Sequence, residues 1–173
     1  MNMLKFLNKK KKDNKGFSLV ELIIVVAILA ILVGLLAPQY IKYVEKSRKS
    51  ADASNLSEMV NAVQIYAADA ESSLPAGTYT ITIRKEAETD GTPTDITGGT
   101  TAGLTAVKKA VAETAPDYTN TKLKSSKWGD KGDDESIKAD IEVDSEGGTK
   151  VTYSPQKLRD FINNKATTQP AGQ

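Results

Sequence analysis

Glu21 is the one ionisable residue in an unbroken apolar run that extends from Phe17 to Ala37. At the centre of a membrane helix such an acid costs about 2.5–3.5 kcal/mol on insertion scales. Near a helix N-terminus the terms change, because headgroups are within reach and the end of the helix favours negative charge by about 0.3–1 kcal/mol. Two uses of the carboxylate follow: it snorkels to water, or it is kept for a cation supplied by another chain. The residues alone leave the two evenly matched. A second acidic group, Asp130, Asp133, Asp134 and Glu135, crowds a glycine-containing loop and could offer oxygen ligands to calcium, yet it lacks the D-x-D-x-D-G order of an EF-hand. A solvated loop is the simpler reading. Asp140, Glu142 and Asp144 alternate along a strand, where pairing with Lys138 or Lys150 accounts for them. The chain has no cysteine and no histidine, which removes Cys/His zinc sites, thiol nucleophiles and histidine acid–base chemistry. No metal, no cofactor and no enzymatic activity are expected.

The element that must position Glu21 is the apolar run itself. Its length, about 20 residues, makes a helix of about 30 Å, the hydrocarbon thickness of a bilayer. Lys5, Lys9, Lys10, Lys11, Lys12 and Lys15 precede it against the single acid Asp13, which favours a cytoplasmic N-terminus and an outward-facing bulk. Lys42, Lys46, Arg48 and Lys49 follow the span and partly oppose that bias. A secretory signal peptide would have a shorter apolar stretch and an A-x-A-like cleavage site. Leu36-Ala37-Pro38-Gln39 offers neither, so the run is expected to be retained.

Gly16-Phe17-Ser18-Leu19-Val20-Glu21-Leu22, behind a short basic leader and ahead of an apolar helix, resembles the class III signal of type IV prepilins. The resemblance implies cleavage by a prepilin peptidase between Gly16 and Phe17, N-methylation of Phe17, and a filament-assembly role for Glu21. Cleavage would create an α-amine on Phe17, and in a low-dielectric filament core such a cation is a fitting partner for a carboxylate. Many Gram-negative pilins close a C-terminal loop with a disulfide, which this cysteine-free chain cannot do; it is most similar to the major pilins of Gram-positive clostridial type IV pili.

Removing residues 1–16 takes six lysines and one aspartate from 23 basic and 22 acidic residues, leaving 17 and 21, a charge of −4. No clustered basic face with interleaved aromatics suggests nucleic acid. The cluster Lys42, Lys46, Arg48 and Lys49 points instead to a headgroup or filament contact. From Leu56 the apolar residues fall on one helical face, Leu56, Met59, Val60, Val63, Ala67, Ala70 and Leu74, so that one helix could run from Phe17 to about Ser73, roughly 85 Å. Gly34 and Pro38 interrupt it where the span ends, and a kink or local melting is expected there, either as a bend at the membrane exit or as a segment that extends on assembly. Tyr40 and Tyr43 suit an interface.

Residues 75–173 have the size of a single domain. Thr78 to Arg84 alternates with Tyr79, Ile81 and Ile83 on one face, and a second alternation sets Ile137, Ala139, Ile141 and Val143 inward. Ser145-Glu146-Gly147-Gly148 turns into a returning arm, Val151-Thr152-Tyr153. Between them lie a threonine- and glycine-rich loop, about Glu86 to Thr101, expected to be exposed, and a helix near Ala102 to Glu113 with Leu104, Val107 and Val111 on one face. Ser154-Pro155 reads as an N-cap and first-turn proline for a helix presenting Leu158, Phe161 and Ile162, and the tail from Ala166 as disordered. Trp128 reads as a core anchor, with an adhesion contact as the alternative.

The expected architecture is α+β: a cleaved leader 1–16, a transmembrane and filament-core helix 17–37, its amphipathic continuation 38–74, and a head 75–173 with an antiparallel sheet. The expected function is a major pilin of an extracellular type IV pilus, with the prepilin peptidase/methyltransferase, the membrane assembly platform, membrane lipids and other pilin subunits as partners, and adhesion, motility or biofilm formation as the outcome. The alternatives are a pseudopilin of a type II secretion or competence system and a single-pass anchored binding domain.

Overall fold

A computed structural model describes residues 18–69, 74–86, 91–129 and 135–168. Its first element is helix α1 (Leu19–Ala68), whose alanines, leucines and charged residues favour helix over its whole length and whose only breakers are Gly34 and Pro38. The chain divides into two compact units, Met1–Lys42 and Tyr43–Gln173, and α1 contributes to both. In the first unit the apolar side chains from Leu19 to Leu36 are all exposed. The helix passes through Pro38 without a break. Proline lacks the N–H that would reach the carbonyl four residues back, which here is Gly34.

The second unit adds β1 (Gly77–Arg84), β2 (Thr94–Gly98), α2 (Thr101–Thr114), a 3-10 turn (Tyr118–Asn120), β3 (Ser136–Val143), β4 (Thr149–Ser154) and α3 (Gln156–Thr168). The strands form one antiparallel sheet in the order β2-β1-β3-β4. Tyr79, Ile81 and Ile83 of β1 and Ile137, Ala139 and Ile141 of β3 bury their side chains, as the alternation requires. Against them pack Leu56, Met59, Val60, Val63 and Ala67 of α1, and Val107 and Val111 of α2. The fold is α+β, a long N-terminal helix packed on a four-stranded antiparallel sheet.

The structure corrects several expectations. The loop placed at Glu86–Thr101 contains β2, which pairs with β1 from Tyr79↔Gly98 to Ile83↔Thr94. Its polar composition hid the strand: Thr94 is buried because its hydroxyl donates to the Thr121 carbonyl at 2.6 Å, leaving Ile96 as the only large apolar signal. Ser154 is not a helix cap but the last residue of β4, opposite Lys138. The first helical hydrogen bond of α3 runs from Leu158 N–H to the Pro155 carbonyl, so the helix opens a residue later. Ala166 to Thr168 belong to α3 rather than to a tail. Leu74 joins the core from beyond the end of α1, not from its face. Ala70, residues 72–73, the acids Asp130, Asp133 and Asp134, and residues 169–173 lie outside the described residues. Of the three acids expected along one strand, Glu142 pairs with Lys150 at 3.3 Å and Asp140 accepts from Thr80, whereas Asp144 lies just beyond β3 and its carboxylate caps the turn through the N–H groups of Glu146 and Gly148.

The stretch of α1 before Leu56, where the apolar face begins, holds the least expected core group. Asp52 is 1% exposed, and its carboxylate accepts from the backbone N–H of Lys124 (2.8 Å), that of Ser125 (3.0 Å) and the Trp128 indole (2.9 Å). Trp128 is therefore a core anchor, with Phe161 edge-on to its ring at 5.6 Å.

Tight packing around Tyr79 supplies a test of the head. Its hydroxyl donates to the Pro75 carbonyl at 2.8 Å, and a Cβ added at Gly103 would stand 2.1 Å from that oxygen. Gly103→Ala should lower stability by about 1–3 kcal/mol through overpacking. Adding Tyr79→Phe removes the clashing atom, so the double variant should lose less than the sum of the two single losses, as read by thermal unfolding in circular dichroism.

Candidate assembly site at the helix N-terminus

The first turn of α1 must satisfy backbone N–H groups that have no helical partner. Ser18 stands just before the helix and Glu21 three residues on, the spacing of a capping box. The Ser18 hydroxyl accepts from Val20 N–H at 3.3 Å, and the Glu21 carboxylate reaches back to accept from Ser18 N–H at 2.9 Å. Leu22 N–H bonds to the Ser18 carbonyl at 3.1 Å and closes the first turn. The Glu21 side chain thus lies along the N-terminal end of its own helix, where the helix dipole favours it.

Neither of the two uses read from sequence, snorkelling or an intermolecular pair, included this arrangement. The signal was present in Ser18-x-x-Glu21, but the apolar run drew attention to the cost of the charge rather than to its reach. Of the remaining site residues, Gly34 and Pro38 stand at the two ends of the rung that proline removes from the α1 hydrogen-bond ladder, and space around Gly34 is open, with nothing within 4 Å of an added Cβ. Gly16 and Phe17 lie outside the described residues. Helix α1 contains one window long and apolar enough to cross a membrane, by length and composition. Among the described residues no cluster of acidic side chains is arranged to hold a metal.

Residues 11–37 match the family model for the prokaryotic N-terminal methylation motif. No curated protein and no solved structure matches the chain. The matched residues include the apolar start of α1; the methylation motif supports a protein of the type IV pilin or pseudopilin kind and is consistent with membrane anchoring before assembly into a surface filament.

Proposed function

We propose that the chain is the major pilin of an extracellular type IV pilus of the Gram-positive clostridial sort, a structural subunit and not an enzyme. A prepilin peptidase cuts it between Gly16 and Phe17 and the new terminus is methylated. Residues 17–37 hold it in the cytoplasmic membrane, N-terminus inside, until the assembly platform passes it into the filament. Other copies pack against its N-terminal helix there, and the heads form the surface that serves adhesion, motility or biofilm formation. Head-to-tail contacts that do not close are the geometry of an open filament.

One observation carries this reading: the Glu21 carboxylate is directed at Ser18 N–H, the peptide bond adjoining Phe17. Cleavage would place the new α-amine within one residue of that carboxylate. A capping bond to a backbone N–H is a weak, exchangeable partner, so the acid can be satisfied in the stored subunit and passed to a cation, its own or a neighbour's, when the helix enters a low-dielectric core. The cysteine-free head fits the clostridial assignment, since its core closes by packing and by hydrogen bonds, those of Asp52 among them, without a disulfide.

Mass spectrometry of surface-sheared material is expected to find a mature chain that begins at N-methylated Phe17. An intact leader would leave only the anchored binding domain, and an end near Ala37 would overturn both readings, since the apolar run would then have been removed as a signal peptide. Electron microscopy of the same fraction separates long pili from the short fibres a pseudopilin would give.

A further inference from the structure

Between residues 43 and 55, α1 carries Lys46, Arg48 and Lys49 and only two acids, Glu45 and Asp52. Both acids are used from beneath. Asp52 accepts from two backbone N–H groups and the indole of residues 124–128, and Glu45 accepts from the Ser125 hydroxyl. The segment that supplies these donors buries Leu123, Ser125 and Trp128 and leaves Lys124 and Lys127 exposed. The cations Lys46, Arg48, Lys49, Lys124 and Lys127 are therefore carried by two adjoining segments, and no ion pair joins any of them to a described acid. The Lys49 amine sits 4.8 Å above the Trp128 ring. Burial, and then the nearby Lys157 and Lys127, push its pKa below the ordinary lysine value, against the opposing pull of Glu45. With Asp52 buried and Glu45 half-buried, the exposed charged side chains of these two segments are cations.

We propose that Lys46, Arg48, Lys49, Lys124 and Lys127 bind anionic, phosphate-bearing headgroups of the outer leaflet while the subunit is stored in the membrane. The occupant follows from chain length and charge. The apolar run ends at Ala37, and Lys46 is about ten residues further, about 14 Å as helix. Beyond a headgroup layer roughly 5–7 Å deep, Lys46 stands about one Debye length, about 8 Å at physiological salt, from the leaflet, and its long side chain can reach back toward it. Each lysine near an anionic surface strengthens binding about fivefold. Extraction into a filament breaks these contacts, so leaflet charge sets how readily a stored subunit is released. The inference rests on the proposed membrane storage of residues 17–37.

The test uses the full chain in nanodiscs of phosphatidylcholine, with or without phosphatidylglycerol. Lysines are acylated with an amine-reactive ester and followed by peptide mass spectrometry. Acylation needs the neutral amine, and an anionic surface holds the amine protonated. Phosphatidylglycerol should slow Lys46, Lys124 and Lys127 by at least about threefold, reversibly with salt. Lys109 and Lys150, each already in an ion pair on the head, serve as internal controls and should not change. Lys124→Gln with Lys127→Gln, both at exposed positions, should reduce the protection of Lys46. Equal rates in the two discs, fast or slow, overturn the proposal, because the surface then does not respond to anionic headgroups. Inorganic phosphate that reproduces the slowing in phosphatidylcholine alone overturns the leaflet assignment in favour of a soluble anion. A chain that fails to enter discs defeats membrane storage itself, an outcome distinct from equal rates within discs.

Discussion

Glu21→Gln is expected to abolish filaments while leaving the subunit processed, inserted and folded. Glutamine can occupy the third position of a capping box as glutamate does, with its side-chain oxygen accepting from Ser18 N–H. The substitution therefore keeps the local role and removes the charge. If the carboxylate pairs with the α-amine of Phe17 in the filament core, its loss leaves a buried cation without a counter-ion, a defect of about 3–5 kcal/mol. That amounts to at least a hundredfold in the equilibrium for adding a subunit. Ser18→Ala is the complementary control. It removes the hydroxyl that accepts from Val20 N–H at 3.3 Å, costs about 1 kcal/mol of helix-end stability, and should still yield filaments. The measurement is the amount of pilin in the sheared fraction against the amount in the membrane, with the mature terminus checked in both. Normal pili from the glutamine variant would reduce Glu21 to a helix cap and remove the proposed intermolecular partner.

The sheet strands β1 and β3 were readable in the sequence because each has one buried face, so period-two alternation survives in Tyr79-Ile81-Ile83 and in Ile137-Ala139-Ile141. The amphipathic part of α1 was readable for the same reason at helical spacing. Strand β2 was not. Its burial rests on Ile96 and on a threonine whose hydroxyl is satisfied by a carbonyl from another segment, and no local pattern announces a polar residue that becomes buried through a distant partner. Asp52 failed for that reason on a larger scale, since its donors lie more than 70 positions away. At the N-terminus the residue carrying the proposed chemistry stands out in the sequence, whereas its partner within the chain, Ser18 N–H, does not. A charge in an apolar run is conspicuous, while a box of Ser18 and Glu21 needs the helix start to be known.

Asp52 sets the largest expected loss in the head. Asp52→Ala would strand two backbone N–H groups and the Trp128 indole in a site with almost no water contact, and a buried donor left unsatisfied costs about 1–3 kcal/mol. The losses are not independent, and about 4 kcal/mol in all is the expectation, a large part of the 5–15 kcal/mol that holds a typical domain. Asp52→Asn should fall between. One carboxylate oxygen serves Lys124 N–H and the other serves Ser125 N–H and the indole, so an amide can satisfy one side only and turns its own NH2 toward donors on the other. Trp128→Phe removes one of the three donors and keeps most of the ring volume beside Phe161, which makes it the milder change. Urea unfolding of the full chain in zwitterionic detergent, followed by far-UV circular dichroism for every variant, should show the larger loss for Asp52→Ala and the smaller for Asp52→Asn. Combining Asp52→Ala with Trp128→Phe should cost less than the two single changes added, because the indole bond is lost only once. Strict additivity would mean that the carboxylate and the indole do not act on each other, and that segment 121–129 is held on α1 by the packing of Leu123 and Trp128 alone.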